Sequence, residues 1–401
     1  MKKILVAFGT RPEAIKLAPV IHVLRKCADV ELTTCVTGQH RQMLDQVLEW
    51  FGIVPDYDLN VMQAGQTLSG LTARILTGIS DVLETVRPDI VLVQGDTTTG
   101  MVASLAAFYY QIPVGHIEAG LRTHDLYDPF PEEANRLLIS MLARYHFAPT
   151  ERARQELLSE GKAASSIYLT GNTAIDALYW TLGQPYNPQE DLAACQDANQ
   201  RVILVTQHRR ESFGSGLREV CFAIKEIVNR YSDVSVVFPV HLNPNVQGPV
   251  MDILGGIDRV HLIRPLPYPD LIHLMKQSWI IITDSGGIQE EAPALGKPVL
   301  VTRHNTERTE ALSSGTAVLV GTDIECILSV VDSLHRDESV YETMAKNVLP
   351  FGDGHASERI AHALVPSFDF TQEPANANPP PRNRDLMAES SVVGATAQRT
   401  A

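Results

Sequence analysis

Cysteine is scarce in this chain and follows no pattern. Five cysteines occur among 401 residues, and no two of them form a CxxC pair. An odd and dispersed set argues against a disulfide framework and against a zinc site, since both need paired or regularly spaced ligands. We therefore interpret these residues as reduced structural thiols and expect no metal: Cys27, Cys35, Cys195, Cys221 and Cys326.

Long apolar runs are also absent. No stretch of about 18 apolar residues occurs, which argues against a transmembrane helix. The N-terminal MKKILVAF resembles the start of a signal peptide, but the apolar run ends at GTRPE, with no small-residue cleavage site behind it. The run is typical of a first buried strand, so we expect a cytoplasmic protein without a membrane partner.

Positive charge is in deficit. Lysine and arginine number 33 against 47 acidic residues, which gives a formal net charge of −14 at pH 7. Nucleic-acid binding requires a basic face for the phosphate backbone, so we expect no nucleic-acid partner. The deficit does not exclude a small anionic ligand, because local arginines and helix N-termini can override the net charge.

What the chain does have is a regular alternation of short apolar runs and amphipathic segments. KILVAF, ELTTCV, DIVLVQ and IPVGHI form a first set, and RVILVT, VSVVFPV, VHLI, WIIITD and PVLVT form a second. Strand-length runs separated by helical patterns predict parallel sheets covered by helices on both faces. The sequence therefore predicts an α/β protein with two doubly wound, Rossmann-like domains that face each other across a ligand-binding cleft.

A change in composition marks the limits of these domains. The region 183–200 carries Pro, Asn and Gln without a strand pattern, and we interpret it as a linker. The first domain is accordingly predicted at 1–182 and the second at 183–354. Beyond the fold, 370–401 is rich in Pro, Ala, Asn and Ser and lacks a periodic apolar face, which predicts a disordered tail.

Three loops that follow predicted strands suit a phosphorylated ligand. In GTRPEAIK, Gly9 permits a tight turn and Arg11 can meet an anion. In TDSGGIQEEA, Ser285–Gly287 would present hydroxyl and N–H groups at a helix N-terminus. We place Glu290 and Glu291 in the first turn of that helix, where Glu291 could instead receive paired ribose hydroxyls. The pattern is neither a P-loop nor GxGxxG, so it suggests neither ATP nor NAD.

The third loop is TQHRRESFG, where His208, Arg209 and Arg210 follow the strand RVILV. Each loop alone could be an ordinary strand–helix turn or a solvated basic loop. Three such loops at the carboxyl ends of strands, in two domains, favour a common anion-binding role.

Acidic residues gather on the same predicted rim of the first sheet. Asp96 ends DIVLVQGD, Glu118 follows the next strand, and Glu132 opens the helix that begins PEEANR. Carboxylates that share a cleft push their pKa values apart, which is how acid and base roles are assigned. Two ordinary interpretations stay open: Asp96 could cap the following helix, and the acids could form a solvated salt-bridge cluster with Arg136.

The motifs together resemble a known family. FGTRPEAIK, VTGQHRQMLDQVL, GDTTTG, HIEAGLRT, PFPEEANR, TGNTAIDAL, HRRESFG, PVHLNPNV, TDSGGIQEEAPALGKPVLV and FGDGHASERI are similar to the motifs of bacterial non-hydrolysing UDP-N-acetylglucosamine 2-epimerases, over about residues 3–365. The resemblance implies a glycosyltransferase-B-like fold, with a helix at about 355–368 that returns to the first domain.

The resemblance also implies an activity. The family interconverts UDP-GlcNAc and UDP-ManNAc without NAD or a metal, by eliminating UDP across C1–C2 and adding it back to 2-acetamidoglucal. It implies a homodimer that supplies ManNAc for surface polysaccharide synthesis. The family motifs place acid/base candidates at Asp96, Glu118 and Glu132, with Arg136 beside them. Positions that match substrate or UDP contacts are Arg11, Lys16, Asp96, Glu118, His208 (also a catalytic candidate), Leu271, Ser285, Gly286, Gly287, Glu291 and Arg308.

Some relatives of this kind are activated by a second UDP-GlcNAc beside the substrate. Gln39, His40, Gln42 and His241 match that site, but Gly65 replaces an arginine found in some regulated members. Allosteric activation is therefore an expectation that this sequence meets only in part.

Three further departures concern the nucleotide side. Gln207 stands where the family usually has a small residue, which would crowd the phosphates. Leu271 replaces an aromatic residue that commonly contacts uracil, and Thr309 replaces the proline of TERPEA. None of them removes a candidate acid.

Other functions stay open at this point. The nearest alternative is a 2-epimerase acting on a modified UDP-sugar such as UDP-2,3-diacetamido-2,3-dideoxyglucuronate, and a hydrolysing epimerase would release free ManNAc. A glycosyltransferase would share the fold and the nucleotide loop but has no use for three clustered acids. A non-catalytic UDP-sugar sensor is disfavoured because Asp96, Glu118 and Glu132 are intact.

Overall fold

Two parallel β-sheets flanked by helices make up the computed structural model of the chain. The structure describes residues 1–38, 41–63, 65–193, 195, 199–209 and 212–368. The predicted tail, 370–401, lies outside the described residues. In the described part of the chain, no helix is long and apolar enough to cross a membrane.

The first sheet has seven strands in the order β3-β2-β1-β4-β5-β6-β7, and each neighbouring pair is parallel. Its elements are β1 (Lys2–Phe8), α1 (Arg11–Lys26), β2 (Val30–Val36), α2 (Arg41–Trp50), β3 (Tyr57–Asp58), α3 (Leu68–Val86), β4 (Ile90–Gln94), α4 (Thr98–Tyr109), β5 (Val114–Ile117), α5 (Glu132–Leu142), β6 (Tyr145–Ala148), α6 (Glu151–Ser159), β7 (Ile167–Leu169) and α7 (Thr173–Leu182).

The second sheet has six strands in the order β10-β9-β8-β11-β12-β13, again with parallel neighbours. Its elements are α8 (Glu190–Ala193), β8 (Arg201–Thr206), α9 (Ser215–Arg230), β9 (Val234–Pro239), α10 (Pro244–Leu254), β10 (Val260–Ile263), α11 (Tyr268–Gln277), β11 (Ile280–Thr283), α12 (Gly286–Glu291), β12 (Val299–Val301), α13 (Thr309–Ser313), β13 (Ala317–Leu319), α14 (Ile324–Arg336), α15 (Glu338–Met344) and α16 (Ala356–Leu364).

Alternate residues of each central strand pack into different cores, as a sheet covered on both faces requires. In β1, Ile4, Val6 and Phe8 pack with α1 and α7, whereas Leu5 and Ala7 pack with α3 and α4. The core that contains α1 continues into residues of α11 and β11, so the two sheets share apolar packing. The predicted fold class, two Rossmann-like domains of glycosyltransferase-B type, is confirmed.

The last helix returns to the beginning of the chain. α16 contacts α1 and α7, and Asp176 of α7 caps it by accepting the N–H groups of Ala356 (3.2 Å) and Ser357 (2.7 Å). Burial raises the pKa of this carboxyl group to about 6. A helix after the second sheet therefore packs on the first, although the domain limits themselves stay a prediction.

The order of strands reverses between β1 and β4 in the first sheet and between β8 and β11 in the second. Ligands of open α/β sheets bind outside the carboxyl ends of strands at such reversal points. The four segments that leave these strands begin with Gly9, Gly95, Gln207 and Asp284. These segments contain the predicted site residues Asp96, His208 and Ser285, and the helices that follow them contain Arg11, Lys16, Gly286, Gly287 and Glu291.

Candidate active site

The turn from β1 to α1 requires glycine. A Cβ atom at Gly9 would lie 2.1 Å from Oγ1 of Thr37 and 2.5 Å from Oγ1 of Thr99, so no side chain fits there. The carboxylate of Glu13 accepts the N–H groups of Gly9 (3.0 Å) and Thr10 (2.8 Å), which fixes the start of α1. Burial raises the pKa of Glu13 to about 7. This rigid turn places Arg11 and Lys16 on the helix that leads away from the switch point.

Lys16 and Glu118, both predicted site residues, form an ion pair. Nε2 of Gln94 also donates to Oε2 of Glu118, at 2.9 Å. Glu118 has φ +64°, a left-handed conformation that is uncommon outside glycine and occurs often at functional sites. Burial alone would lower the pKa of Lys16, but Glu118 and Glu290 raise it above its usual range. Lys16 is therefore a permanent cation.

A second pair joins Asp96 and Arg136, whose Oδ2 and terminal nitrogen lie 2.6 Å apart. Arg136 also binds Glu133 at 3.0 Å. The helix cap is Thr97, whose Oγ1 accepts the N–H group of Gly100 at 3.0 Å. The interpretation of Asp96 as the cap of α4 is therefore wrong, because its neighbour supplies the cap and leaves the Asp96 carboxylate for Arg136.

Glu132 is the first residue of α5, as predicted, and is half-buried. Within the described parts of the chain its side chain has no hydrogen-bond or ion-pair partner.

His116 is buried and lies with Nε2 2.7 Å from the carbonyl oxygen of Gly95, next to Asp96. Burial lowers the pKa of His116 to about 3, so the neutral ring donates this bond. His116 is therefore a structural residue that supports the backbone beside Asp96.

In the second domain, His208 is held by Asp284. Oδ2 of the fully buried Asp284 accepts the backbone N–H groups of His208 and Arg209, both at 2.8 Å. Nδ1 of His208 lies 3.0 Å from the other carboxylate oxygen. Burial opposes ionisation of Asp284, but the His208 side chain and the two N–H groups lower its pKa. The imidazole is thereby oriented at the end of β8.

The segment Ser285–Gly287 leads directly into α12, as predicted. A Cβ atom at Gly286 would lie 3.2 Å from the guanidinium carbon of Arg308, so glycine permits the close approach of this cation. Glu290 and Glu291 end the helix, so their predicted position in its first turn is wrong. α12 is only six residues long, and Glu290 in its last turn contacts Lys16 and Arg308.

Glu291 and Arg308 are both buried, but the carboxyl group of Glu291 favours its neutral form and the guanidinium group of Arg308 stays charged. Burial and the neighbouring Glu290 raise the pKa of Glu291 to about 8, and the hydroxyl group of Tyr268 donates to its Oε1 at 3.1 Å. Burial disfavours the charged form of Arg308, but Glu290 and Glu307 raise its pKa. Near neutral pH the second domain thus presents a protonated carboxyl group beside a permanent cation.

Glu290 links the two halves of the site. Its Oε1 lies 2.9 Å from Nε of Arg308, while its Oε2 lies 3.2 Å from Nζ of Lys16 and 3.1 Å from Nδ2 of Asn172. The structure therefore brings four site residues into one connected network, with Glu290 between Lys16 and Arg308. Arg11 lies outside this network, and burial lowers its pKa.

The remaining predicted residues lie around this network or outside it. Leu271 is half-buried on α11 and packs against the shared core. The ring of His241 lies 6.3 Å from that of His208, and burial lowers its pKa. Gln39 and His40 lie outside the described residues, and Gln42 is placed in α2 without a described side chain. The predicted allosteric set therefore falls largely outside the described residues and stays a prediction.

Sequence reasoning missed three acids that hold the site together: Glu133, Asp284 and Glu290. Asp284 and Glu290 stand inside the motif TDSGGIQEEA, and Glu133 inside PFPEEANR. The signal was their position in the motifs, but their contacts depend on how distant segments meet. Among the residues that the structure describes, no group of three or more His, Cys, Asp or Glu could hold a metal ion.

The fold and the site define a class. Two Rossmann-like sheets with cations and carboxylates at facing switch points are typical of glycosyltransferase-B-like proteins that handle nucleotide sugars. The family model for UDP-N-acetylglucosamine 2-epimerase matches residues 22–365. The chain belongs to the UDP-N-acetylglucosamine 2-epimerase family, and the predictions of this family and of an isomerase are confirmed.

Individual relatives agree over nearly their whole length. A UDP-N-acetylglucosamine 2-epimerase of Escherichia coli O157:H7 is 56% identical over 368 residues, which cover 90% of this chain and 98% of the relative. The structure of the Neisseria meningitidis UDP-GlcNAc 2-epimerase bound to UDP-GlcNAc superposes with a TM-score of 0.84 at 49% identity, covering 91% of this chain and 100% of that one. The Methanocaldococcus jannaschii enzyme in complex with UDP-GlcNAc and UDP gives a TM-score of 0.75 at 33% identity, covering 90% and 99%.

Proposed function

We propose that this protein interconverts UDP-GlcNAc and UDP-ManNAc at C2 without hydrolysing them. The observation that carries the proposal is the network Glu118–Lys16–Glu290–Arg308, which joins carboxylates and cations from both domains next to the Asp96–Arg136 pair. The relative of known structure from Neisseria meningitidis binds UDP-GlcNAc, which supports this substrate.

The reaction has two balanced halves. A base removes the C2 proton while the C1–O bond breaks, and the bonding electrons leave with the diphosphate to give 2-acetamidoglucal and UDP. The double bond then takes a proton at C2 on the opposite face while UDP adds back at C1. This route avoids an isolated carbanion at a carbon without an adjacent ketone, and it needs acid/base groups and strong stabilisation of the leaving diphosphate.

The first domain supplies the acid/base candidates. Asp96 and Glu118 stand beside permanent cations, and Glu132 sits at a helix start where negative charge is stabilised. We assign proton removal and delivery to these three carboxylates. Arg136 holds Asp96 in place, and the left-handed backbone of Glu118 directs its side chain toward Lys16.

The second domain is assigned to UDP. Ser285, Gly286 and Gly287 would contact the diphosphate, and Arg308 beside them remains charged as the leaving group develops negative charge. Glu291, protonated near neutral pH, can exchange hydrogen bonds with the ribose hydroxyls. The following residues complete the proposed UDP contacts: Arg11, Lys16, His208 and Leu271.

We propose that His208 contacts the diphosphate and takes part in catalysis. Asp284 fixes its backbone and Nδ1, which leaves Nε2 as the ring nitrogen for the ligand. Because Nδ1–H points to Asp284, only the imidazolium form of this ring can donate from Nε2 to an oxygen of the departing diphosphate. The homodimer, the cytoplasmic location, allosteric activation and the supply of ManNAc to polysaccharide synthesis stay predictions.

Proton NMR in D₂O tests the proposed function. Purified protein is incubated with UDP-GlcNAc without any added cofactor, and the C2 proton is followed. We expect UDP-ManNAc with deuterium at C2. Free ManNAc together with UDP would identify a hydrolysing enzyme instead. An unchanged spectrum would contradict this substrate and direct the test to the diacetamido-uronate.

A further inference from the structure

One buried carboxylate connects the two domains at the centre of the site. Glu290 is 1% exposed, and its carboxylate contacts four hydrogen-bond donors: Nε and a terminal nitrogen of Arg308, Nζ of Lys16 and Nδ2 of Asn172. Arg308 belongs to the same domain as Glu290, whereas Lys16 and Asn172 belong to the other. The acid thus satisfies partners on both sides of the cleft at once.

Burial of such a charge is favourable only while its partners stay in place. Removing an ionised carboxylate from water without compensating donors is strongly unfavourable. Opening of the cleft would remove Lys16 and Asn172 from Glu290 and leave only Arg308. The contacts of Glu290 therefore link the arrangement of the two domains in this structure to the position of Lys16.

The position of Lys16 also matters for the candidate acid Glu118. Nζ of Lys16 is shared between Glu118 in the first domain and Glu290 in the second. The four-carbon stem of lysine is flexible, so one anchor does not fix its ammonium group, whereas two anchors do. Without Glu290, the ammonium group of Lys16 would be held by Glu118 alone, and its position relative to Arg308 would no longer be fixed.

We propose that Glu290 is a positioning residue that couples closure of the cleft to the alignment of Lys16 and Glu118. It acts through these two side chains. The proposal deepens, and rests on, the proposed epimerase function. A residue that only stabilised the domain interface would affect turnover and UDP binding alike. We expect Glu290 to affect turnover more strongly than the binding of UDP.

Glu290→Gln is the decisive variant. A carboxamide can accept from one cation but turns its NH₂ group toward the other, so the link between Lys16 and Arg308 is broken. We expect kcat to fall at least about tenfold, since small misplacements of reacting groups have effects of this size or larger. The dissociation constant of UDP should change by less than about threefold, because Arg308 keeps its pair with Glu307.

Glu310→Gln is the matched control. Oε1 of Glu310 accepts the hydroxyl group of Thr150 across the same domain interface at 2.7 Å, away from Lys16. We expect its kcat to stay within about twofold of wild type. Equal losses of kcat, UDP affinity and melting temperature in both variants would overturn the proposal, because Glu290 would then be an ordinary interface residue.

Glu290→Asp keeps the charge but shortens its reach by one methylene group. We expect a kcat between those of wild type and Glu290→Gln, and wild-type kcat in either folded variant would contradict the proposal. If the glutamine variant does not fold, the aspartate variant decides alone. A wild-type protein that fails to epimerise UDP-GlcNAc would instead refute the proposed function, and the inference with it.

Discussion

The two sides of the cleft use carboxylates in different ways. In the first domain, Asp96 keeps 28% of its side chain exposed and stands at the rim with Glu132. In the second, Asp284 and Glu290 are 0% and 1% exposed and are occupied by backbone N–H groups and cations. Asp96 and Glu132 are therefore available to a ligand, whereas Asp284 and Glu290 orient other groups. The comparison separates carboxylates at the rim of the first side from buried carboxylates that hold their neighbours in place on the second.

The largest expected effect tests the first side. Glu118→Gln removes the charge but keeps the shape, so turnover should fall by about 10²–10⁴, the usual contribution of a general acid or base. The dissociation constant of UDP should change less than about threefold, because most of the proposed UDP contacts lie in the second domain and Glu118 is not one of them. Steady-state kinetics and calorimetry of the purified variant measure both quantities.

The control for this variant is Glu226→Gln, which removes a carboxylate paired with Arg230 on the exposed face of α9. Its kinetics should match wild type. Near-normal turnover in Glu118→Gln would remove Glu118 from the reacting groups and end the distinction between the two sides.

A smaller effect tests the second side. Asp284→Asn replaces a buried carboxylate by a neutral amide, which weakens the two N–H bonds and removes the negative charge beside Nδ1 of His208, so UDP affinity should fall about tenfold and stability by about 1–3 kcal/mol. Calorimetry with UDP and urea unfolding measure these changes. The control is Asp233→Asn, which disrupts an ion pair far from the cleft: Oδ1 of Asp233 lies 3.0 Å from Nε2 of His335. This variant should leave UDP affinity unchanged. Equal affinity in both variants would contradict the role of Asp284.

A pH effect sharpens the comparison further. The pKa of Glu291 rises from its ordinary value of 4.5 to about 8, so the folded state holds this proton more tightly than the unfolded state does. Its contribution to the free energy of unfolding is therefore fully present below about pH 4.5 and is lost as the pH rises through about 8. Urea unfolding between pH 5 and about 8.5 should show a shallower decline in Glu291→Gln than in wild type. An unchanged slope would contradict the protonated state of Glu291.

The smallest effect concerns Gln207. The side chain was predicted to crowd the phosphates, but it is 2% exposed and its Nε2 donates to Oγ1 of Thr302 at 2.6 Å. We expect Gln207→Ala to change kcat and UDP affinity by less than about threefold and to lower stability by about 1 kcal/mol. A large gain in UDP affinity would support the crowding interpretation instead.

The sequence predicted the position of the site better than the contacts between its side chains. Parallel strands direct their following loops to one edge of a sheet, so Asp96, Glu118 and Ser285 could be placed from the apolar runs alone. Which acid meets which cation could not be predicted, because Lys16 and Glu290 are 274 residues apart and meet only through packing of the domains.

The sequence also could not predict which of two similar neighbouring residues takes a given role. Asp96 and Thr97 are both favourable helix caps, and only the backbone path shows that Thr97 is used. Likewise, Glu290 and Glu291 are adjacent and chemically identical, yet one is bound by two cations and the other by Tyr268. Their different environments follow from the direction of α12, which no pattern of residues specifies.

The most direct test of the account supplies the proposed intermediate itself. Wild-type protein is mixed with 2-acetamidoglucal and UDP, and the formation of UDP-sugars is followed by phosphorus NMR. The account predicts that both UDP-GlcNAc and UDP-ManNAc appear, since the second domain would bind UDP while the acids of the first protonate C2. If no UDP-sugar forms while the same preparation epimerises UDP-GlcNAc, the elimination route and the division of tasks between the two sides are both contradicted.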